Sequence, residues 1–287
     1  MPGRSNPTLR QRRLGVELRK MREQAGLGGT ELSGLLGVSP SIVTQMESAK
    51  IGVSPERVRS IAAACKCSNT PLVDALAKMA VERTKGWWQA YRGALSTSFI
   101  EVAEMESYAQ GLFTWATTYI PGLLQTRDYA SAVFSRITPP LPQHDLENRI
   151  EFRLKRQQVI SASGVPCTAF IHEAALRMQF GGPKVLASQL ESLLVDAERP
   201  EISIRVVPFD MHTFLGSGEN LMLAMGPVPE LDTLQMDISR GVLFFDSPAE
   251  LNTHRDLFAR MDETALPIDQ SQDFIRSIKK ELDDKYD

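Results

Sequence analysis

GLGGTELSGLLGVSPSIVTQMES, residues 26–48, is the stretch that decides the fold of the first part of the chain. It predicts a short helix over Thr30–Leu36, in which Leu32, Leu35 and Leu36 form the buried face. Gly37 then offers the positive φ of a tight turn, and Pro40 is favoured as the first residue of a helix that runs to about Glu47. Two short helices joined by a glycine-bearing turn are typical of a helix-turn-helix.

Three further helices are predicted around this pair. The first precedes it and has one apolar stripe with spacings of four, three and four, made of Leu14, Leu18, Met21 and Ala25. Ser54-Pro55 combines an N-cap residue with a proline and predicts the start of a fourth helix, and a fifth is predicted to begin near Thr70-Pro71 and to reach about Arg83. We therefore predict an all-α helix-turn-helix bundle over residues 1–83.

The charge of the chain is divided unevenly. Residues 1–80 contain 12 Lys and Arg against 6 Asp and Glu, whereas residues 81–287 contain 20 against 29. A basic helical domain on an acidic remainder indicates that one end of the chain meets a polyanion. Together with the helix-turn-helix pattern, this predicts double-stranded DNA as the partner.

The second helix of the pair is the predicted reading helix. Gln45 is suited to a bidentate contact with adenine, and Ile42 is suited to a thymine methyl group. Basic side chains nearby, including the N-terminal arm at Arg4, are predicted to contact phosphates. The residues predicted to bind DNA are Arg12, Arg13, Thr30, Ser39, Ser41, Ile42, Thr44, Gln45 and Lys50. The alternative is a small helical bundle with a solvated polar face.

The stretch around residues 26–48 resembles the XRE (Cro/C1-repressor-like) helix-turn-helix family. The resemblance implies that Glu47 is structural and pairs with an arginine of the first helix, for which we expect Arg19. The chain departs from the family at Gly28-Gly29 and Pro40, where Ser or Thr, and Gln, are common. These departures remove amide contacts to DNA, so dimerisation or a partner is expected to support binding.

The remainder of the chain mixes helices and strands. We predict a helical connector over residues 84–136, a turn at Ile137–Pro142, and an α+β domain over residues 137–287. Its predicted strands are Cys167–His172, Ile202–Pro208, Leu221–Met225 and a hairpin of Thr233–Ile238 with Val242–Phe245. The expected fold class is α+β overall, an all-α bundle followed by a mixed α/β domain.

Several short motifs resemble a second, more specific pattern. They are GWWQ at residues 86–89, IPGLLQTRDYA at 120–130, RLKRQ at 153–157, EAALR at 173–177 and VVPF at 206–209. Together they resemble an actinobacterial regulator family described as WhiJ-like or antitoxin-like, in which an XRE head precedes a domain of this length. The resemblance implies a small partner protein encoded by an adjacent gene.

Arginines on the helix predicted over Asp145–Ser161 are candidates for binding an anion. Arg149, Arg153 and Arg156 lie at spacings of four and three and so share one face. With Glu173 and Arg177 they would line an anion pocket. A solvated charged face is the more frequent outcome of such a pattern.

Two further features stand beside these arginines. Trp87 and Trp88, with Tyr91, form an aromatic group that fits either a partner contact or plain core packing. The stretch Phe209–Asn220 contains two glycines and is typical of a loop that gates a pocket.

No pattern in the chain indicates an enzyme. His172-Glu-Ala-Ala-Leu176 begins like a zinc-protease helix, but a leucine stands at the second histidine position. The three cysteines fit reduced, packed thiols, and we expect no metal and no cofactor. No apolar run has the length of a membrane span, and no signal peptide is evident at the N-terminus, so we expect no membrane partner and a cytoplasmic location.

The sequence thus favours a sequence-specific transcriptional regulator that binds DNA as a homodimer. A small partner protein or a ligand at the C-terminal domain would modulate it. The alternative is a protein–protein interaction module of a toxin–antitoxin-like pair with weak or vestigial DNA binding. A third hypothesis, a small-molecule hydrolase on a DNA-binding head, would require Glu173 for turnover.

Overall fold

The computed structural model describes residues 6–82, 86–211, 218–238 and 241–286. The chain divides into two compact units, Met1–Trp87 and Trp88–Asp287. The predicted arm residue Arg4 and the middle of the predicted gating loop Phe209–Asn220 lie outside the described residues. Among the helices of the described residues, none is both long and apolar enough to cross a bilayer.

The first unit is all-α within its described part, as predicted. Its five helices are α1 (Leu9–Gln24), α2 (Gly29–Leu36), α3 (Pro40–Glu47), α4 (Pro55–Ala64) and α5 (Thr70–Val81). The predicted start of α4 is confirmed, because the Ser54 hydroxyl accepts a hydrogen bond from the Arg57 backbone N–H at 3.2 Å. Gly26, just beyond α1, has a φ of 68°, which ends the helix where the sequence indicated.

The core of the first unit consists of apolar side chains from all five helices. They include Leu18, Leu32, Val43, Ile61 and Leu76, each at most 1% exposed. The prediction that Leu35 is buried was wrong, since its side chain is 63% exposed. The inward face of α2 is formed by Leu32, Ser33 and Leu36, and Leu35 lies beyond the edge of this face, on the side away from Ser33.

The second unit is a mixed α/β domain. Its strands are β1 (Gly111–Ala116), β2 (Cys167–His172), β3 (Ile202–Val207), β4 (Leu221–Met225), β5 (Thr233–Ile238) and β6 (Gly241–Phe245). Its helices are α6 (Thr97–Ser107), α7 (Arg127–Phe134), α8 (Gln143–Arg156), α9 (Gln158–Ser161), α10 (Glu173–Arg177), α11 (Pro183–Asp196), α12 (Pro248–Thr264) and α13 (Ile268–Tyr286). Short 3-10 helices lie at Trp87–Tyr91, Gly122–Leu124 and Pro229–Leu231. The predicted fold class is confirmed.

One sheet organises this unit, with the strand order β3-β2-β1-β4-β5-β6. Strands β1, β2 and β3 are parallel, and β4, β5 and β6 continue antiparallel from β1. The predicted hairpin of β5 and β6 is confirmed, with Gln235 opposite Phe244. Side chains from the sheet pack on α12 and form an apolar core of Trp115, Phe170, Leu234, Phe258 and Met261, among others.

The prediction of a helical connector over residues 84–136 missed β1, which lies in the middle of this sheet. The strand is buried along nearly its whole length, so its sequence lacks the alternation of a half-exposed strand. A six-residue apolar run cannot be distinguished from a piece of buried helix by periodicity alone. The turn at Ile137–Pro142 correspondingly lies within the second compact unit.

Candidate functional site

The turn between α2 and α3 has the geometry that the sequence indicated. Gly37 adopts the left-handed conformation, with a φ of 63° and a ψ of 35°. Ser39 occupies the N-cap position of α3, but its hydroxyl makes no capping hydrogen bond and lies 2.9 Å from the Ser41 hydroxyl. The turn comprises residues 37–39, and the residues that begin α3 after it, Pro40 and Ser41, are exposed.

Helix α3 is held against α1 by a close backbone approach at Gly15. A Cβ atom added to Gly15 would lie 2.4 Å from the carbonyl oxygen of Glu47, a distance that real Cβ atoms do not reach. Because the obstacle is backbone, α3 itself would have to move to admit any side chain at this position. The sequence analysis missed Gly15, since a glycine within a helix looks like an ordinary weak point in the helix.

An ion pair closes the same contact. Arg22 donates from Nε and Nη2 to the two carboxylate oxygens of Glu47, at 2.6 and 2.9 Å, and from Nη1 to the carbonyl of Leu27 at 3.0 Å. The hydrogen bond to Glu47 raises the pKa of Arg22. Glu47 is thus structural, as the resemblance implied.

The expected partner of Glu47, Arg19, was wrong. Arg19 is exposed and pairs with Glu23 at 2.7 Å in an i,i+4 contact. Arg22 follows Met21 directly and lies four residues after Leu18, so it flanks the buried stripe. Arg19 likewise follows a residue of the stripe, Leu18, so only the packing of α1 against α3 identifies Arg22 as the partner.

The predicted reading residues lie together on the outward side of α3. Ser41 and Thr44 are exposed and Ile42 and Gln45 are half-buried, while the alternating positions Val43 and Met46 are in the core. The other predicted contacts outside α1, Thr30, Ser39 and Lys50, are also exposed. This is a short helix with neutral polar and apolar groups presented over two turns, which suits contact with base edges in the major groove.

Arg12 and Arg13 of α1 were both predicted to contact phosphates, but neither side chain is fully exposed. Arg13 is only 8% exposed, and its Nε donates to Glu17 at 2.8 Å. This burial argues against a phosphate contact by Arg13. Arg12 is half-buried, and its Nη1 donates to the carbonyl of Pro7 at 3.0 Å.

Much of the basic charge of the first unit is compensated inside it. Arg10 pairs with Glu82 at 2.6 Å, Lys20 with Glu17 at 2.8 Å and Arg59 with Asp74 at 3.3 Å. Lys50 makes no ion pair with any residue that the structure describes, and it lies just after α3. The charge available to phosphates is therefore smaller than the composition indicates.

A cavity of about 350 Å³ lies in the second unit. It is lined by α6, α7, α8, the strands β1, β4, β5 and β6, and the turn before α7. Its apolar wall includes Phe99, Ile120, Met222 and Val242. Its polar wall includes Gln125, Arg153, Arg156, Asn220, Gln235 and Asp237.

Two of the sequence motifs meet at this cavity. Gln125, at the end of IPGLLQ, donates to the carbonyl of Ile120 at 2.7 Å and accepts from Nη1 of Arg153 at 2.6 Å. Gln157, at the end of RLKRQ, donates to the carbonyl of Gln125 at 2.7 Å. A Cβ atom on Gly122 would lie 2.8 Å from Nη1 of Arg153, so this glycine leaves room for the guanidinium. The two motifs thus orient Arg153 in the cavity wall.

Arg156 is neutralised by a buried carboxylate. It donates from Nη2 and Nε to the two oxygens of Glu106, at 2.5 and 2.8 Å, and the two side chains are 9% and 1% exposed. Burial disfavours the charged form of Arg156, but Glu106 outweighs burial and raises its pKa. The pair contributes one fixed, compensated charge to the cavity wall.

Arg153 and Asp237 are not compensated in this way. The Arg153 guanidinium stacks on the Phe134 ring at 4.7 Å, and its buried Nε has no hydrogen-bond partner among the described residues. Burial lowers the pKa of Arg153 to about 9, which leaves it charged at neutral pH. Asp237 accepts from Nε2 of Gln235 at 2.6 Å, and burial among protein atoms raises its pKa although it is accessible through the cavity.

The five residues that were predicted to form one anion pocket therefore do not lie together. Arg153 and Arg156 line the cavity, whereas Arg149 stacks on the outer side of Phe99 at 5.1 Å and does not line it. Glu173 and Arg177 belong to α10 and bind each other at 2.6 Å. Sequence reasoning missed Gln125, Gln235 and Asp237, which come from the turn before α7 and from β5.

The contacts of Glu173 and of Trp88 favour structural roles for both residues. Glu173 is 7% exposed, and its second oxygen accepts from the backbone N–H of Phe209 at 2.9 Å. Trp88 is 5% exposed and packs edge-on against Tyr108 at 6.1 Å, which favours the core interpretation of this residue. Trp87 is half-buried, and its role as a partner contact stays a prediction.

Comparison with known sequence families agrees with the two units. Residues 13–76 match a family described as a helix-turn-helix domain, which places the protein in the class of DNA-binding regulators. Residues 99–277 match a family described as a domain of unknown function (DUF5753). The chain belongs to this DUF5753 family. No curated protein and no solved structure matches the chain.

Proposed function

We propose that the protein is a sequence-specific transcriptional regulator of the XRE type that binds double-stranded DNA as a homodimer through α3. The observation that carries this proposal is the outward face of α3, held rigidly by the Gly15 contact and the Arg22–Glu47 pair. Groups fixed on rigid elements suit base readout, because recognition requires hydrogen bonds of defined geometry.

The proposed dimer follows from the size of the reading element. Helix α3 has eight residues, and the first unit offers few uncompensated cations near it. A single head of this size contacts too little DNA for tight specific binding, and two-fold symmetric half-sites multiply specificity. The second unit would supply the dimer contact and receive a signal, either a small protein encoded by an adjacent gene, as in WhiJ-like regulators, or a ligand.

A gel-shift assay with the region upstream of the protein's own gene tests this proposal. We expect a specific shift that competitor DNA of unrelated sequence does not remove, and a change of that shift when the small neighbouring protein is added. The specific shift should fall steeply with salt, since phosphate contacts release counterions. The absence of a specific shift with and without the neighbouring protein would contradict the proposal.

The alternative function is an interaction module of a toxin–antitoxin-like pair with weak DNA binding. The observation in its favour is the internal pairing of Arg10, Arg13, Lys20 and Arg59. We favour a binding role over a catalytic one, because the Glu173 carboxylate already accepts hydrogen bonds from Arg177 and Phe209. Turnover of a substrate that Glu173→Ala abolishes would contradict this preference.

A further inference from the structure

The cavity of the second unit has the size and composition of a small-molecule site. Its volume of about 350 Å³ lies in the range of ligand pockets, and its walls combine apolar side chains with a few convergent polar groups. Thr114 and Met222 face each other in neighbouring central strands, so the floor of the cavity is rigid. The charged groups of its wall come from α8 and β5.

Arg153 is a buried cation with unused donors. Its Nη1 is bound to Gln125, which leaves Nε without a partner in the described part of the chain. A buried donor that loses water without gaining an acceptor destabilises the protein. Nε itself is sealed from solvent, but the Arg153 side chain lines the cavity, so a carboxylate bound there would pair with a charge that no carboxylate of the described residues neutralises by an ion pair.

Asp237 is the opposite charge in the same cavity. Gln235 donates a hydrogen bond to it, and Asn220, Arg153 and Arg156 also favour its charged form, but it makes no direct ion pair with any described residue. Arg153 and Asp237 both line the cavity without contacting each other as an ion pair. Arg156, the remaining cation, is already paired with Glu106. The cavity wall therefore presents one positive and one negative group that attract each other without direct contact.

We propose that this cavity binds a small zwitterionic molecule, with its carboxylate on the Arg153 guanidinium, its ammonium group on Asp237, and an apolar body along Phe99 and Met222. A simple anion would be repelled by Asp237, and a simple cation by Arg153, whereas a zwitterion satisfies both groups. The biological meaning of this site rests on the proposed regulatory role of the second unit.

The test is isothermal titration calorimetry of the full chain without DNA, with L-phenylalanine as the probe. We expect a dissociation constant below about 1 mM. Two analogues each lack one charge: 3-phenylpropanoate has no ammonium group and phenethylamine has no carboxylate. Each is expected to bind at least about tenfold more weakly, because one charged group of the cavity wall is left without its partner.

Three variants of the cavity extend the test. Asp237→Asn should remove the preference for L-phenylalanine over 3-phenylpropanoate, and Arg153→Gln should remove the preference over phenethylamine. Val242→Trp fills the cavity from β6 and should abolish binding of all three probes while leaving both charges in place. Arg149→Gln is the matched control, because it removes the same charge from the same helix outside the cavity lining. Should Arg153→Gln fail to fold by circular dichroism, Asp237→Asn and Val242→Trp decide the result.

Two outcomes would overturn the inference. One is no heat of binding with L-phenylalanine, which would mean that water alone satisfies Arg153 and Asp237. The other is equal binding of L-phenylalanine and either analogue. Both are independent of DNA, so a failed titration with an intact gel shift would overturn the cavity assignment alone. A failed gel shift with intact titration would overturn the proposed DNA binding alone.

Discussion

The outward face of α3 and the cavity of the second unit are both positioned by an arginine–glutamate pair, but the pairs leave different chemistry beside them. In the Arg22–Glu47 pair the two charges compensate each other, and the outward face of α3 presents neutral groups such as Ser41 and Gln45. Arg156–Glu106 neutralises one cavity arginine and leaves Arg153 without a carboxylate. A surface that reads DNA bases requires fixed hydrogen-bonding groups, whereas a cavity that binds a charged molecule requires unmatched charge.

The largest expected effect is on the buried pair of the second unit. Glu106→Gln keeps the shape of the side chain but leaves Arg156 as an uncompensated buried cation, and should lower the free energy of unfolding by about 4 kcal/mol. Urea denaturation followed by circular dichroism measures it. Glu151→Gln, in an exposed pair with Arg127, is the control and should leave the stability unchanged. If Glu106→Gln lost less stability than Glu47→Gln, the expected ranking of the two arginine–glutamate pairs would be wrong.

The second-largest effect is expected at Gly15, where α1 closely approaches α3. Gly15→Val places a side chain against the Glu47 backbone and should cost about 3 kcal/mol of stability and displace α3. DNA binding by gel shift should be lost with it. Gly34→Ala is the control: it lies in α2 with open space around it and should stabilise by up to about 1 kcal/mol. Unchanged DNA affinity in Gly15→Val would mean that the contact does not position α3.

The Arg22–Glu47 pair of the first unit should give a smaller effect. Arg22→Ala removes two hydrogen bonds to Glu47 and one to Leu27, and should cost about 2 kcal/mol in urea denaturation. Arg19→Ala removes only an exposed contact with Glu23 and should have no measurable effect. Equal losses from the two variants would restore Arg19 as a structural residue.

The smallest effect is expected for a single base contact. Gln45→Ala should weaken binding to the specific site about tenfold and leave binding to unrelated DNA unchanged. Lys50→Ala provides the contrast, because loss of a phosphate contact weakens binding to every sequence and lowers the slope of the salt dependence by about one. A specific affinity unaffected by Gln45→Ala would rule out Gln45 as a base-reading residue.

The sequence predicted more of the first unit than of the second. Helix boundaries there follow from caps and prolines, such as Ser54-Pro55, which act within a few residues. In the second unit the hairpin of β5 and β6 was also predictable, since its strands are neighbours in the chain. Strand β1 was missed because it pairs with residues that lie more than 50 positions away, and nothing in its own apolar run shows that pairing.

The candidate sites show the same division between local and distant information. The sequence identified the outward residues of α3 and the two cavity arginines, Arg153 and Arg156, because the helical period alone places them on one face. It could not choose between Arg19 and Arg22 without the packing of α1. It also did not bring Gln125 or Asp237 to Arg153, because these residues meet only when the turn before α7 and β5 fold onto α8.

The sequence by itself determined that this protein carries a helix-turn-helix, since a turn glycine, helix caps and helical periodicity are local properties of residues 26–48. Only the tertiary structure decided which charges are compensated. Arg13 and Arg153 have the same side chain, yet one is neutralised by Glu17 four residues away, whereas the other stands against an aromatic ring with a free donor. Compensation depends on distances between atoms across the fold, and the order of residues along the chain does not contain those distances.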